Sequence, residues 1–415
     1  MAFTSERAGQ GHASPGHWRH SRSLGWGRCC LVCVVCSRSP PGGADSPAMR
    51  AWGAGAAVRP VWSAVRPALM VAQVCSVLVI SLVSTASRLP PWYTAHALLV
   101  AAFVASMGAT FAFSEPLLAV PERGIKNRVR YFSSLVGYSE VVTLVLLWLR
   151  AAGRWAGMWT HIGDLEGRLW GRGERHLPRL RSHTRAVTCV FLIVHIPQEA
   201  SIVWRRLASV SSLYDLGQMT CSLCILLVFN VSAMLLVVLS DMLAECFRAL
   251  TAKLHCASKK NGGQIPPGVV EDVRVLYNEV RRLTDALDDI LGAILLVMLF
   301  ADGLFICRFL LHWFTPSVHT LYAYLTVGIV TARFVFTIHT VSSVSSEWES
   351  TRSHLYRMSP HLCGKEVSRF ILQVTTDQIS LTALGIVPIT KPLMLAVWAA
   401  ILSYEIILVQ FNKGN

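Results

Sequence analysis

Residues 218–243 read QMTCSLCILLVFNVSAMLLVVLSDML, and this stretch decides the fold class. Its one charged residue is Asp241, close to its end. A helix of this length is about 39 Å long at 1.5 Å per residue, which is enough to cross the ~30 Å hydrocarbon core of a bilayer. We therefore predict a transmembrane helix here.

The composition of the whole chain extends this prediction. Of its 415 residues, 53% are hydrophobic and only 15% are charged. Soluble domains carry about 25% charged residues. A water-soluble protein this apolar would have too few polar residues to cover its surface, so we predict an all-α membrane protein embedded in a lipid bilayer.

Seven apolar segments of about 20 residues are predicted to cross the membrane. They are residues 95–118, 131–150, 184–204, 218–243, 291–314, 319–343 and 389–411, followed by a short tail, 412–415. Residues 68–86 form an eighth apolar stretch of sufficient length. Arginine and proline residues flank it on both sides, and composition leaves open whether it spans the membrane or lies in the interface.

Basic residues set the predicted orientation. Residues 1–60 are predicted to be a disordered tail, rich in Gly, Ser and Pro, with seven arginines against two acids; Met49 offers an alternative start. The tail, the loop 151–183 and the segment 248–290 share a side if 68–86 does not cross. The positive-inside rule then predicts a cytosolic N-terminus and an extracellular C-terminus. Four basic residues between 123 and 130 fall on the other side and are the minority.

The segment 248–290 also carries a heptad pattern. Its apolar residues after Pro267 are spaced alternately by four and three: Val269, Val273, Leu276, Val280, Leu283, Leu287 and Ile290. Charged residues occupy the opposite face. We predict a water-exposed cytosolic anchor helix that runs into the fifth span and packs either within the chain or between subunits.

The last predicted span ends in Ser403-Tyr404-Glu405-Ile406-Ile407-Leu408-Val409-Gln410-Phe411. An intramembrane amide such as that of Gln410 is costly to expose to lipid. It is expected to face a cavity, a pore or another helix, and a simple hydrogen bond between packed helices is the alternative.

This ending resembles the hallmark of the insect and arthropod gustatory receptor family, in which Thr-Tyr, five mostly apolar residues and Gln-Phe close the last helix. Here Ser403 stands where Thr is usual, and Glu405 stands where an apolar residue is usual. Two weaker similarities are Ala64-Val65-Arg66-Pro67-Ala68-Leu69 before the first span and Ala383-Leu384-Gly385 before the last. The resemblance covers roughly residues 60–415 and favours residues 68–86 as an interfacial helix, which gives seven spans.

The resemblance implies an odorant-receptor-like fold: a seven-helix channel domain over residues 61–411, with four subunits around one pore. It implies that Gln410 and Phe411 form the gate and that Tyr404 supports them, while Glu405 is a candidate for favouring cations. An aromatic ring can dewet a narrow pore, and a neutral amide can line it once the rings move aside. The implied function is a gustatory receptor, a ligand-gated non-selective cation channel that opens on binding a small tastant. It would be a homo- or hetero-tetramer in the plasma membrane of chemosensory neurons.

Polar residues inside the predicted spans are candidates for the tastant pocket, because burying such groups without a partner is costly. We single out Glu140, His195, Glu199, Asp302 and Arg333, with Trp313 and Tyr322 near the outer ends. Asp302 and Arg333 are predicted to pair. A purely structural ion pair explains these two equally well, and an aromatic belt explains the two aromatic residues.

Other classes of protein have weaker support. The sequence contains no phosphate-binding loop, metalloprotease motif or nucleophile elbow, so neither an enzyme nor a cofactor is predicted. The cysteines between Cys29 and Cys36 have no histidine companion, and no metal site is predicted. The basic residues lie between spans, which argues against a nucleic-acid partner. A G-protein-coupled receptor remains an alternative, but its Asp-Arg-Tyr and Asn-Pro-x-x-Tyr motifs are absent; a small-solute transporter would require an internal repeat that we do not see.

Overall fold

The computed structural model describes residues 64–65, 67–69, 71, 91–114, 125–170, 177–207, 210, 212–260, 266–313, 321–357 and 365–413. For some helical residues it describes the backbone alone. The predictions for the basic tail 1–60 and for the membrane position of residues 68–86 lie outside the described residues.

The described part of the chain is almost entirely helical. Its helices are α1 (Pro91–Ser114), α2 (Ile125–Trp170), α3 (Leu177–Leu207), α4 (Leu213–Lys260), α5 (Pro267–Trp313), α6 (Leu321–Tyr356), α7 (Lys365–Thr376) and α8 (Lys391–Lys413). Between α7 and α8, a hairpin pairs the strands β1 (Thr382–Ala383) and β2 (Val387–Pro388) in antiparallel fashion.

Four stretches within these helices are long and apolar enough to cross a membrane, by length and composition alone. They are Tyr131–Trp155, Leu213–Lys260, Gly268–Leu310 and Tyr324–Tyr356; Ala97–Ala112 and Lys391–Tyr404 are shorter apolar stretches. The four agree with the predicted spans in α2, α4, α5 and α6, and the all-α membrane class is confirmed. The count of seven crossings and the sides of the two termini remain predictions.

Helix α4 lies at the centre of the bundle and contacts α1, α2, α3, α5 and α6. Every residue from 228 to 247 is buried, which is the environment expected of a helix that is apolar on all faces. The second half of the stretch that decides the fold class, from residue 228 onwards, is therefore part of the core of the bundle.

Three helices are much longer than a membrane is thick. Helices α2, α4 and α5 have 46, 48 and 47 residues, or about 70 Å each, more than twice the hydrocarbon core. The C-terminal ends of α2, α4 and α6 meet the N-terminal part of α5 and form a second bundle beyond the predicted spans. We call this the anchor bundle (residues 151–170, 244–260, 267–290 and 344–356, capped by α7).

The anchor bundle corrects one prediction. Residues 151–170, which the sequence analysis assigned to a loop, continue α2 because they carry their own buried heptad pattern: Trp155, Met158, Ile162, Leu165 and Leu169. The heptad residues of α5 from 273 to 290 are buried in the same chain. A hydrogen bond reinforces the contact between α2 and α5, with His161 Nε2 2.8 Å from Glu279 Oε2.

Candidate functional site

The last helix, α8, packs on α5 and α6 through one face only. Ile401 is buried on this face, and Met394, Val397 and Trp398 are half-buried. The Trp398 ring meets the buried Phe334 ring of α6 edge-on, with 6.0 Å between centroids. These apolar contacts attach the helix to the rest of its own chain.

The other faces of α8 are uncovered in the single chain. Leu395 is 68% exposed and Leu402 59%, and Tyr404 and Gln410 are also exposed. The side chains of Glu405 and Phe411 lie outside those that the structure describes. Because an exposed amide is unfavourable in lipid, the face that carries Gln410 is suited to other helices or to water.

A polar cluster lies inside the bundle where α4, α5 and α6 meet. The Arg333 guanidinium donates to both carboxylate oxygens of Asp302, with Nε 3.3 Å from Oδ2, and to the side-chain oxygen of Asn230. It also lies over the Phe229 ring, 5.8 Å from the centroid. The Asp302 side chain is 4% exposed and that of Arg333 is 12% exposed. The predicted pair therefore forms, and it is buried.

Two more of the predicted pocket residues surround this pair. Glu140 of α2 lies within electrostatic range of Asp302, and His195 of α3 lies within range of Arg333. Glu199, one turn further along α3, lies within electrostatic range of Cys224 of α4. The side chains of Trp313 and Tyr322 lie outside the described residues.

Asn230 is a member of this cluster that was not predicted from the sequence. Asn230 is 1% exposed, in the middle of the apolar stretch of α4, and its Oδ1 is a further acceptor for Arg333. Its position inside a span was the available signal, since an amide buried among apolar residues needs a partner.

A groove opens beside Glu140, between α2 and α5. It has a volume of about 260 Å³ and is lined by Ser139, Glu140, Thr143, Leu296, Val297 and Phe300. The Ser139 and Thr143 hydroxyls donate to carbonyls of their own helix, each at 2.8 Å, which leaves their lone pairs available. Among the described residues, no donor reaches the buried Oε1 of Glu140. The groove thus places the hydroxyl lone pairs of Ser139 and Thr143, as acceptors, beside apolar side chains.

The chain is similar to known proteins in both sequence and fold. The sequence model of a family described as "Trehalose receptor" matches residues 212–415. The chain is 29% identical over 191 residues to the Drosophila melanogaster protein "Gustatory receptor for sugar taste 64f", covering 45% of this chain and 40% of that one. It is 28% identical over 182 residues to "Gustatory receptor 5a for trehalose" from the same species, covering 43% and 39%.

The fold matches a solved structure, the insect olfactory receptor OR5 from Machilis hrabei. The TM-score is 0.64 at 11% identity, and the match covers 77% of this chain and 90% of that one. For the same receptor in complex with eugenol, the TM-score is 0.65 at 12% identity, with 82% and 97% covered.

The class of protein that the fold defines is therefore a helical membrane bundle of the insect olfactory receptor type. Within this class, residues 212–415 match the "Trehalose receptor" family and are similar to Drosophila gustatory receptors, which confirms the resemblance indicated by the C-terminal motif. The matched regions span only about two fifths of the length of the Drosophila relatives.

Proposed function

We propose that the protein is a gustatory receptor that works as a ligand-gated, non-selective cation channel and opens on binding a small sugar tastant. The observation that carries the channel proposal is the uncovered face of α8, which presents Gln410 from a largely apolar helix. A sugar is proposed because the matching family and both relatives are described by trehalose or sugar taste.

The pore would form where α8 helices from four subunits, identical or different, surround one axis. Each α8 uses one face to attach to α5 and α6, so its other faces remain free for neighbouring copies and for water. We propose that Gln410 and Phe411 form the gate, with Tyr404 supporting them and Glu405 favouring cations. Close aromatic rings exclude water from a narrow pore, and the amide lines the pore when they separate.

The ligand would bind at the polar cluster and the groove next to it. Sugar hydroxyls both donate and accept hydrogen bonds, and the cluster supplies both kinds of partner: acceptors at Glu140 and Asp302, donors at Arg333. His195, Glu199, Trp313 and Tyr322 are further candidates around it. Binding would open the channel by favouring the open state over the closed one.

Substitution of Gln410 tests the pore proposal. In voltage-clamped cells exposed to a sugar panel, Gln410→Ala is expected to change ion selectivity or open-state current while surface delivery stays normal. Thr110→Ala is the matched control, because the Thr110 hydroxyl donates to the Ser106 carbonyl of its own helix, far along the chain from α8. Unchanged selectivity and current in Gln410→Ala would remove this residue from the pore.

An accessibility assay tests the orientation. With a cytosolic N-terminus and seven crossings, an epitope tag fused after residue 415 is expected to stain on intact cells. A tag before residue 1 is expected to stain only after permeabilisation. The opposite pattern would exclude the proposed channel topology.

A further inference from the structure

The segment between α7 and α8 is fastened to α5 at two levels. We propose that the upper fastening, which we call the hairpin clasp (Asp288 and Gly292 of α5 with Thr382 and Leu384 of the hairpin), transmits movement of α5 to the pore helix α8. Asp288, Gly292 and Thr382 are then positioning residues for gating, an assignment that rests on the proposed channel function.

The first half of the clasp is a carboxylate that receives two donors from one residue. The Thr382 backbone N–H donates to Asp288 Oδ1 and the Thr382 hydroxyl donates to Oδ2, both at 2.5 Å. The same hydroxyl accepts the Gly385 N–H at 2.9 Å. Asp288 therefore holds both the strand and the turn of the hairpin, and hydrogen bonds to a charged group are among the stronger ones in proteins.

The second half of the clasp is a close approach of two backbones. The Leu384 N–H donates to the Gly292 carbonyl at 3.1 Å. A Cβ at position 292 would lie 3.0 Å from the Thr382 carbonyl oxygen and 3.2 Å from the Leu384 nitrogen. Glycine costs up to about 1 kcal/mol relative to alanine inside a helix, and here it is what lets the hairpin reach the helix.

The hairpin itself is held by a tight turn and by hydrogen bonds of its own. Leu384 and Gly385 both adopt positive φ, 56° and 71°, which makes a tight turn. The Ile389 N–H donates to the Leu381 carbonyl at 2.9 Å, and α8 begins at Lys391. The start of α8 is thus separated from the clasp by a few residues that are themselves hydrogen-bonded.

A lower fastening lies further down α5. Tyr277 precedes Asp288 by 11 residues, which is about 16 Å at 1.5 Å per residue. There Asp377 accepts hydrogen bonds from Tyr277 Oη at 3.2 Å and from Arg281 Nη1 at 2.5 Å. Two attachment levels on one continuous helix mean that the segment cannot rotate freely about either one.

Helix α5 also reaches the proposed ligand site. Asp302 follows Gly292 by ten residues, about 15 Å along the same helix, and it pairs with Arg333. A shift of α5 at Asp302 therefore moves Asp288 and Gly292 with it, and the clasp moves the start of α8. In the described part of the chain, the hydrogen bonds between the β1–β2 turn and the helices all come from α5.

Paired substitutions in the full-length chain test the clasp. Thr382→Val keeps the side-chain shape but removes the hydroxyl, and Thr382→Ser keeps the hydroxyl. Asp288→Asn removes the charge, and Asp289→Asn is its matched control, since Asp289 is exposed on the same turn. Gly292→Ala forces the two backbones apart.

Sugar-evoked currents would be measured under voltage clamp and divided by the amount of receptor at the cell surface. Thr382→Val, Asp288→Asn and Gly292→Ala are each expected to lower the evoked current per surface copy, or raise the half-maximal sugar concentration, by about fivefold or more. The reversal potential should not change, because the pore lining is intact. Thr382→Ser and Asp289→Asn should match the wild type.

The outcomes separate the two proposals. A responsive wild type with unchanged responses in Thr382→Val and Asp288→Asn would overturn the clasp and leave the channel standing. A wild type without any current at the cell surface would overturn the channel and the clasp together. If Asp288→Asn or Gly292→Ala fails to reach the surface, the milder pair Thr382→Val and Thr382→Ser decides, because a purely structural role predicts less receptor but a normal response per copy.

Discussion

The buried ion pair at the centre of the bundle makes a strong prediction about stability. In Asp302→Asn the carboxylate that binds the Arg333 guanidinium twice is lost, and the guanidinium, 12% exposed, stays inside the bundle. Removing one partner of a buried pair costs about 3–5 kcal/mol, because the remaining charge is left without compensation.

Two neighbours place the expected loss near the lower end of that range. The Asn230 oxygen still accepts from Arg333, and the Phe229 ring still lies against the guanidinium. We therefore expect about 3 kcal/mol for Asp302→Asn.

Thermal unfolding of the detergent-solubilised receptor measures this loss. For a chain of this size, about 1–2 °C of Tm per kcal/mol is expected by extension from smaller domains, so Asp302→Asn should lower Tm by roughly 3–6 °C. The matched control is Glu366→Gln, which breaks the exposed pair with Arg369 at 3.4 Å and should change stability by less than about 0.5 kcal/mol.

A double substitution separates the pair from its surroundings. Asp302→Leu combined with Arg333→Met removes both charges and should recover most of the stability lost in Asp302→Asn, because apolar residues of similar size often replace a buried pair without loss. An unchanged Tm in Asp302→Asn would refute the argument. So would a double variant that is less stable than Asp302→Asn.

Two further predictions concern other polar contacts between helices. Trp148→Phe leaves the buried Ser232 hydroxyl without the indole N–H that donates to it at 2.9 Å, and it should cost about 2–4 kcal/mol in the same unfolding assay. The double variant Trp148→Phe with Ser232→Ala should lose less stability than Trp148→Phe alone. An equal loss of stability would contradict the hydrogen-bond argument. His183 lies just before the third predicted span, and its hydrogen bond to Asp241 raises its pKa above the usual 6.5. The stabilisation by this pair is therefore fully present below pH 6.5 and is lost as the pH rises through the raised pKa. The difference in Tm between wild type and His183→Gln should accordingly shrink from pH 6 to pH 8. A difference in Tm that grows over this range would show the opposite sign of coupling.

Much of the fold was predictable because it depends on patterns that local sequence contains. The apolar run in α4 and the heptad pattern of α5 each indicate what surrounds them, and both are buried. The helical extension of α2 was missed, although Trp155, Ile162 and Leu169 repeat with the same spacing. Six arginines between residues 151 and 183 indicate a water-exposed segment, and they mask the apolar periodicity.

The sequence allowed several residues of the candidate site to be predicted, but not their arrangement. Residues such as Asp302 and Arg333 are conspicuous in apolar spans, because each needs a partner there. Which residue completes the arrangement depends on how α4 lies beside α6, and no local pattern contains that information. Asn230 is 103 positions from Arg333, and Thr382 is 94 positions from Asp288.

The two polar attachments of α5 have a joint consequence for how a ligand can act. A helix of 47 residues that is bonded to α6 through Asp302 and to the hairpin through Asp288 moves most easily as one body, because bending it between these points would break backbone hydrogen bonds. Apolar contacts such as Trp398 against Phe334 tolerate a small slide, whereas the clasp does not. A ligand that shifts α5 by a fraction of a turn is therefore expected to displace the start of α8 by a comparable distance, and the α8 contact with α6 is where that displacement is absorbed.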